Sequence, residues 1–267
     1  MELPVVVGTD GSLSSLQAVD WATDAALRRG LPLRIVHAVP VERAHRRHAA
    51  PWAEEVCALA TERAERHSPQ LKVVADLVFG DPAVVLPAAS YGASLVVVGC
   101  RGHGGPGGAL LGPVGTDVAA HAHCPVVVVR GRTANLRGCM SRVTVGIDRQ
   151  HPDGAPLRFA FAEAARRRCE VEAVHGRPGA DRERLWSRVV DTALRTATAA
   201  HPEVPLVTRP AQRPVHAALL RASADTDLLV LGAPPRDLPG SPLGPANAGV
   251  LQQSRCPVAI VPRAWTD

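Results

Sequence analysis

The amino-acid sequence contains the same pattern twice. Val5-Val6-Val7-Gly8-Thr9-Asp10 is matched 138 residues later by Val143-Thr144-Val145-Gly146-Ile147-Asp148. Val36-His37-Ala38 returns at the same spacing as Val174-His175-Gly176. Leu95-Val96-Val97-Val98-Gly99 returns as Leu228-Leu229-Val230-Leu231-Gly232 after 133 residues, and Cys124-Pro125-Val126 as Cys256-Pro257-Val258 after 132. Four blocks in one order mark a tandem duplication. The fold must therefore be one that half of a 267-residue chain can adopt, and adopt twice. The expected domains are 1–137 and 138–267, with the polar stretch 131–142 as the natural linker.

Within each half, short Val/Leu runs alternate with longer Ala-rich stretches, the pattern of a parallel sheet covered by helices. In the first half the spacing predicts strands at 5–8, 33–38, 73–78, 95–99 and 125–129. Ser12 or Ser14 caps the first helix, Leu16, Val19, Ala22 and Ala26 form its buried stripe, and Gly30 ends it. Further helices are expected at 52–67, at 83–90 and from about Gly115 onward. Right-handed crossovers then leave an α/β, doubly wound sheet as the solution for each half.

Composition narrows the chemistry. Only 3% of residues are aromatic, too few for a single-stranded nucleic-acid stacking platform. The net charge of +5 falls short of the basic stripe of a nucleic-acid binder. Lys72 is the only lysine and does not follow a glycine, so a G-K-[ST] phosphate loop is impossible. The six cysteines show no C-x-x-C spacing, and neither His45 and His48 nor His121 and His123 stand at a zinc-ribbon spacing, so no metal site is expected. No G-x-S-x-G elbow is present. No apolar run reaches the roughly 18 residues of a membrane span and Met1-Glu2-Leu3-Pro4 carries no basic n-region, so the expected location is the cytoplasm, with no membrane partner.

Ligands of doubly wound sheets bind beyond the carboxyl ends of the strands, where the strand order reverses. Asp10 follows the first strand there, Ala38 ends the second, and Gly99 ends the fourth. After Gly99 runs Cys100-Arg101-Gly102-His103-Gly104-Gly105-Pro106-Gly107-Gly108-Ala109-Leu110-Leu111-Gly112. So many glycines let backbone N–H groups approach an anion closely, and the following helix adds a positive dipole end. The segment formally satisfies G-x-G-x-x-G, but no helix opens directly behind it and no acidic residue stands about 20 positions on, so a dinucleotide site is poorly supported.

The spacing Gly99, Gly102, Gly112, with Val7-Gly8-Thr9-Asp10-Gly11-Ser12 at the start, Val36-His37-Ala38 and the Cys124-Pro125-Val126 strand, resembles the universal stress protein family, over nearly the whole chain. The resemblance implies two tandem Rossmann-like domains of the adenine-nucleotide alpha-hydrolase type, each with a five-stranded, mostly parallel sheet. It implies ATP as the ligand, with Mg as its counter-ion, and a homodimer as the assembly. Asp10 would hold the nucleoside and the backbone of Ala38 the adenine. Gly99, Gly102, His103, Gly104, Gly105 and Gly112 would line the ribose and phosphates, with Arg101 adding charge. Gly8, Pro113 and Val114 complete the implied lining.

Two departures stand out. The family's loop usually ends Gly-Ser or Gly-Thr, whereas Gly112 is followed by Pro113, which has neither a hydroxyl nor an N–H; Thr116 is the expected compensation. In the second half Asp148 persists, but Arg149-Gln150 replaces Gly-Ser. Its loop carries Pro234, Pro235, Pro239 and Pro242, which offer no amide hydrogens for a nest. The second half is thus expected to be structural or regulatory. The function implied is a nucleotide-binding stress-response sensor or regulator with no catalytic residues and no efficient enzymatic activity; the alternative is a scaffold that binds no nucleotide and acts through protein contacts.

Overall fold

Strands built from Val5-Val6-Val7 and Leu95-Val96-Val97 are solvent-free along their whole length, because both faces of the first-half sheet are covered by helices. The computed structural model describes residues 2–44, 49–102, 111–148, 151–176, 180–211, 214–234 and 243–266. It divides into two compact units, residues 1–130 and 131–267.

The first unit runs β1 (Val5–Gly8), α1 (Leu13–Arg29), β2 (Leu33–Val39), α2 (Val41–Ala44), α3 (Ala49–His67), β3 (Val73–Phe79), α4 (Pro82–Ala89), β4 (Leu95–Gly99), α5 (Pro113–His121) and β5 (Val126–Val129). The strands are parallel in the order β3-β2-β1-β4-β5. The chain therefore winds outward from β1 through β2 to β3, then crosses back to place β4 on the other side of β1. That reversal opens a crevice between β1 and β4 at their carboxyl ends.

Local chemistry explains the element ends. The Ser12 hydroxyl accepts from Ser15 N at 3.2 Å, so Ser12 rather than Ser14 caps α1. Gly30, at φ +65°, closes the helix, and Arg28 and Arg29 complement its dipole. The expected stripe of Leu16, Val19, Ala22 and Ala26 is buried. Asp81 caps α4 through Ala83 N at 2.9 Å, and Pro82 takes the first helical position, where no N–H is needed. Arg63 grips Asp20 with two bonds of 2.6 Å, joining α3 to α1.

The second unit runs α6 (Thr133–Leu136), β6 (Arg142–Ile147), α7 (Ala155–Arg167), β7 (Glu170–Gly176), α8 (Ala180–Ala200), β8 (Leu206–Ala211), α9 (Val215–Ala222), β9 (Leu228–Gly232), α10 (Gly244–Gln253) and β10 (Val258–Val261). Its strands repeat the first unit's order, β8-β7-β6-β9-β10, and are again parallel. The stretch 131–142, expected as a linker, is not loose chain. Asn135, 1% exposed, donates to Ala224 O at 3.1 Å and Thr226 O at 2.7 Å, and Arg132 N donates to Arg255 O at 3.0 Å. These bonds dock α6 onto the second unit because each satisfies a backbone carbonyl there. No described helix is long and apolar enough to cross a membrane.

Candidate functional site

The crevice of the first unit is shaped by the turn after β1. Thr9 Oγ1 meets Ser15 Oγ at 3.1 Å, Gly11 N donates to Thr9 Oγ1 at 3.3 Å, and Ser12 N donates to Asp10 Oδ1 at 3.0 Å. Gly11 makes the turn at φ +80°, a left-handed conformation that favours glycine. One Asp10 oxygen thus braces the turn, as aspartates in turns commonly do. The other, Oδ2, lies against Gly102, where a Cβ would overlap it. Gly102 is not among the glycines of positive φ, so its need to lack a side chain comes from Asp10 and not from backbone strain.

A second close approach ties α1 to β4. A Cβ on Gly99 would stand 2.7 Å from the carbonyl carbon and oxygen of Ser14, backbone atoms that cannot swing aside. Ser14 Oγ accepts from Arg101 N at 3.2 Å and lies 3.5 Å from Cys100 Sγ, while Ser12 Oγ donates to Arg101 O at 3.3 Å. Ser12 and Ser14 therefore hold the start of the glycine loop as well as the start of the helix. The loop's far end returns to the same place, since Gly112 N donates to Cys100 O at 3.0 Å.

Two helix N-termini, of α1 and α5, consequently border the crevice, with the exposed Arg101 beside them. Gly112 caps α5 without a side-chain bond, and Pro113 contributes no N–H. The amides of Val114 and Gly115 precede the first intrahelical bond, Thr116 N to Gly112 O at 3.2 Å, and so have no acceptor within the helix. The hydroxyl of Thr116, the expected compensation, donates to Gly112 O at 3.2 Å.

Ala38 lies two residues beyond the last β1–β2 pairing, Gly8 with Val36, which puts its backbone at the rim of the crevice. Gly8 is a packing position, because a Cβ there would stand 2.7 Å from Leu86 Cδ1 of α4. His103, Gly104 and Gly105 lie outside the described residues, as do His45 and His48. Among the described residues no group of His, Cys, Asp or Glu is arranged to hold a metal. One residue that sequence reasoning passed over is His37. It is 2% exposed, its Nδ1 meets Thr9 O at 2.7 Å, and its Nε2 has no hydrogen-bond partner among the described residues. Its recurrence as His175 was the available signal.

The second unit builds its crevice differently. Asp148 follows β6 as Asp10 follows β1, but its Oδ2 accepts from Arg263 Nη2 at 3.3 Å. The counterpart of Gly115 is Asn247, whose Nδ2 donates to Gly232 O at 2.8 Å. Gly154 caps α7 without a side-chain bond, and a Cβ on Gly232 would meet Pro156 Cγ at 3.0 Å. A side chain thus stands at the place of Gly115, while Gly232 and Gly244 keep the places of Gly99 and Gly112. Arg149, Gln150 and the loop 235–242 lie outside the described residues.

The model of the universal stress protein family matches residues 2–130 and, a second time, residues 140–262. A universal stress protein of Mycobacterium tuberculosis strain H37Rv is 32% identical over 297 residues, covering 99% of this chain and 98% of its own. Another from the same strain is 30% identical over 274 residues, covering 97% and 96%. Among solved structures, a universal stress protein from Archaeoglobus fulgidus aligns over 98% of both chains with a TM-score of 0.76 at 18% identity, a likeness of fold.

Proposed function

This chain belongs to the universal stress protein family, and on that premise we propose that its first half binds ATP and works in a stress response as a sensor or regulator, not as an efficient enzyme. The observation that carries this is the pairing of Asp10 with Gly102: a carboxylate oxygen faces a glycine whose Cβ would overlap it, between two helix N-termini. A carboxylate there suits the ribose hydroxyls, which donate to it. The backbone of Ala38, at the rim, takes the adenine edge. Gly99, Gly102, His103, Gly104, Gly105 and Gly112 bring amides to the ribose and phosphates, Arg101 supplies charge, and the Val114 amide stands in for what Pro113 lacks. Gly8 lets the end of β1 pack tightly beneath them. A magnesium ion would arrive on the phosphates, which supply its ligands.

Catalysis asks for more than this. Phosphoryl transfer needs an oriented nucleophile and charge stabilisation at the γ-phosphate. Asp10 is committed to the nucleoside end, and Pro113 removes a donor at the phosphate end. The second half, with Asp148 paired to Arg263 and prolines through its loop, serves a structural or regulatory role.

The test is direct. Protein purified under native conditions is denatured, and the released small molecules are resolved by anion exchange, alongside calorimetric titration with ATP. Binding of one ATP per chain is expected. No adenine nucleotide released and no heat on titration would overturn the proposal and favour a scaffold acting through protein contacts.

A further inference from the structure

The last residues of the chain fold back over the carboxyl edge of the second unit's sheet. Ala233 N donates to Val261 O at 2.8 Å, just as Cys100 N donates to Val129 O at 3.1 Å in the first unit. Beyond that shared bond the halves part. At the place of Gly131 after β5, the second half has Arg263 after β10. The Arg263 guanidinium spans the crevice, from Ala233 O after β9 (Nε, 3.3 Å) to Asp148 Oδ2 after β6 (Nη2, 3.3 Å). Two residues on, the Trp265 ring packs edge-on against Phe159 of α7, centroids 5.4 Å apart, and Trp265 O accepts from Arg158 Nη2 at 3.0 Å. A turn from Trp265 N to Pro262 O, 3.1 Å, sets the segment's direction.

We propose that residues 262–266 are an internal cap on the second half's crevice, and that their release uncovers a nucleoside-class site at Asp148. This rests on the reading that Asp10 takes ribose hydroxyls, since Asp148 stands in the same place after its strand. The guanidinium occupies the carboxylate that a ribose would need, and the two compete for one acceptor. The site is of nucleoside and not nucleotide class, because Pro234, Pro235, Pro239 and Pro242 remove amide donors from the loop that would face phosphates. Among the described residues the tail anchors are one partly exposed ion pair, one ring contact and a few hydrogen bonds, weak enough for a partner of the tail to displace.

The experiment isolates the second half by working in a Gly102→Val background, where the first crevice is blocked. Full-length protein is titrated calorimetrically with adenosine, with the tail intact and with Arg263→Ala plus Trp265→Ala. With the tail intact adenosine binding is expected to be at the detection limit of the titration; the double variant should bind one adenosine per chain at least tenfold tighter than that limit, and lose it on Asp148→Ala. Arg263→Gln, which keeps the packing of the stem, is the second variant if the double one fails to fold by circular dichroism. No gain in adenosine affinity with either variant overturns the proposal. The first-half reading is scored separately, by ATP binding to the wild-type chain against Gly102→Val, so failure of one is distinguishable from failure of the other.

Discussion

The sharpest test of the first crevice is the addition of one methyl group. In Gly102→Ala the new Cβ would overlap Asp10 Oδ2, so the carboxylate must rotate or the loop must retreat. Backbone strain is not part of the effect, because Gly102 does not adopt a positive φ. If Oδ2 accepts a ribose hydroxyl, the bond lost is one to a charged acceptor, about 1.5–3 kcal/mol. At about 1.4 kcal/mol per tenfold, affinity for ATP and for adenosine alike should fall about 10- to 150-fold. The fold should hardly notice, since Gly102 is exposed and a surface change of this kind costs about 0.5 kcal/mol or less. Gly99→Ala is the contrast. Its methyl meets Ser14 backbone at 2.7 Å, so it should cost about 1–3 kcal/mol of stability as well as binding. Calorimetric titration with both ligands, paired with urea midpoints for each variant, separates the two effects. A Gly102→Ala protein that binds adenosine with wild-type affinity would refute the assignment of Asp10 to the nucleoside.

Other outcomes follow from single residues. Pro113→Ser supplies the missing N–H and hydroxyl at the start of α5, and should tighten ATP about tenfold or more while leaving adenosine unchanged; equal effects on both ligands would show that the phosphates do not reach α5. Steady-state ATP hydrolysis with a metal ion should be far below the roughly 1–100 per second of kinases, and turnover near one per second, lost in Asp10→Ala or His103→Ala, would identify an enzyme instead. Burial pushes the Cys124 thiol up to about 12 from 9.0, and the Cys169 thiol up to about 11. The native state keeps protons that the unfolded chain releases, so this stability is whole below about pH 9 and is lost as pH rises toward 12, at about 1.4 kcal/mol per unit for each group. Urea midpoints from pH 7 to 10.5 should fall accordingly, and Cys124→Ala should flatten the slope; identical slopes would contradict the burial argument.

What could be read from the sequence was what depends on neighbours along the chain. The α1 cap at Ser12 or Ser14, the Gly30 stop and the stripe through Leu16, Val19, Ala22 and Ala26 are set by residues within a few positions of each other. Strand limits came within one residue for the same reason: β2 extends to Val39 and β5 begins at Val126, not Pro125. The start of α3 at Ala49, three residues before the expected Trp52, was harder, because its first turn carries no acidic residue to mark it. The site itself depends on pairs far apart in sequence. Asp10 against Gly102 and Ser14 against Gly99 and Arg101 join the turn after β1 and the start of α1 to the end of β4. Nothing in local spacing states that Ser12 and Ser14 hold a loop that begins after β4.

The same distinction explains why the duplicated halves diverge where they do. A cradle of backbone amides tolerates almost any sequence that keeps side chains out, so its signature is an absence: Gly99, Gly102, Gly112 and Gly115. Restoring one side chain is enough to change its character. Asn247, at the place of Gly115, ties its amide to Gly232 O, and Arg263, at the place of Gly131, ties the carboxylate of Asp148. Both bonds engage groups that a ligand would compete for, so each favours the unliganded form of the second unit. The strands and their parallel order are kept in both units because they serve the core, which is needed with or without a ligand. Divergence is therefore concentrated at the carboxyl edge, where only binding constrains it.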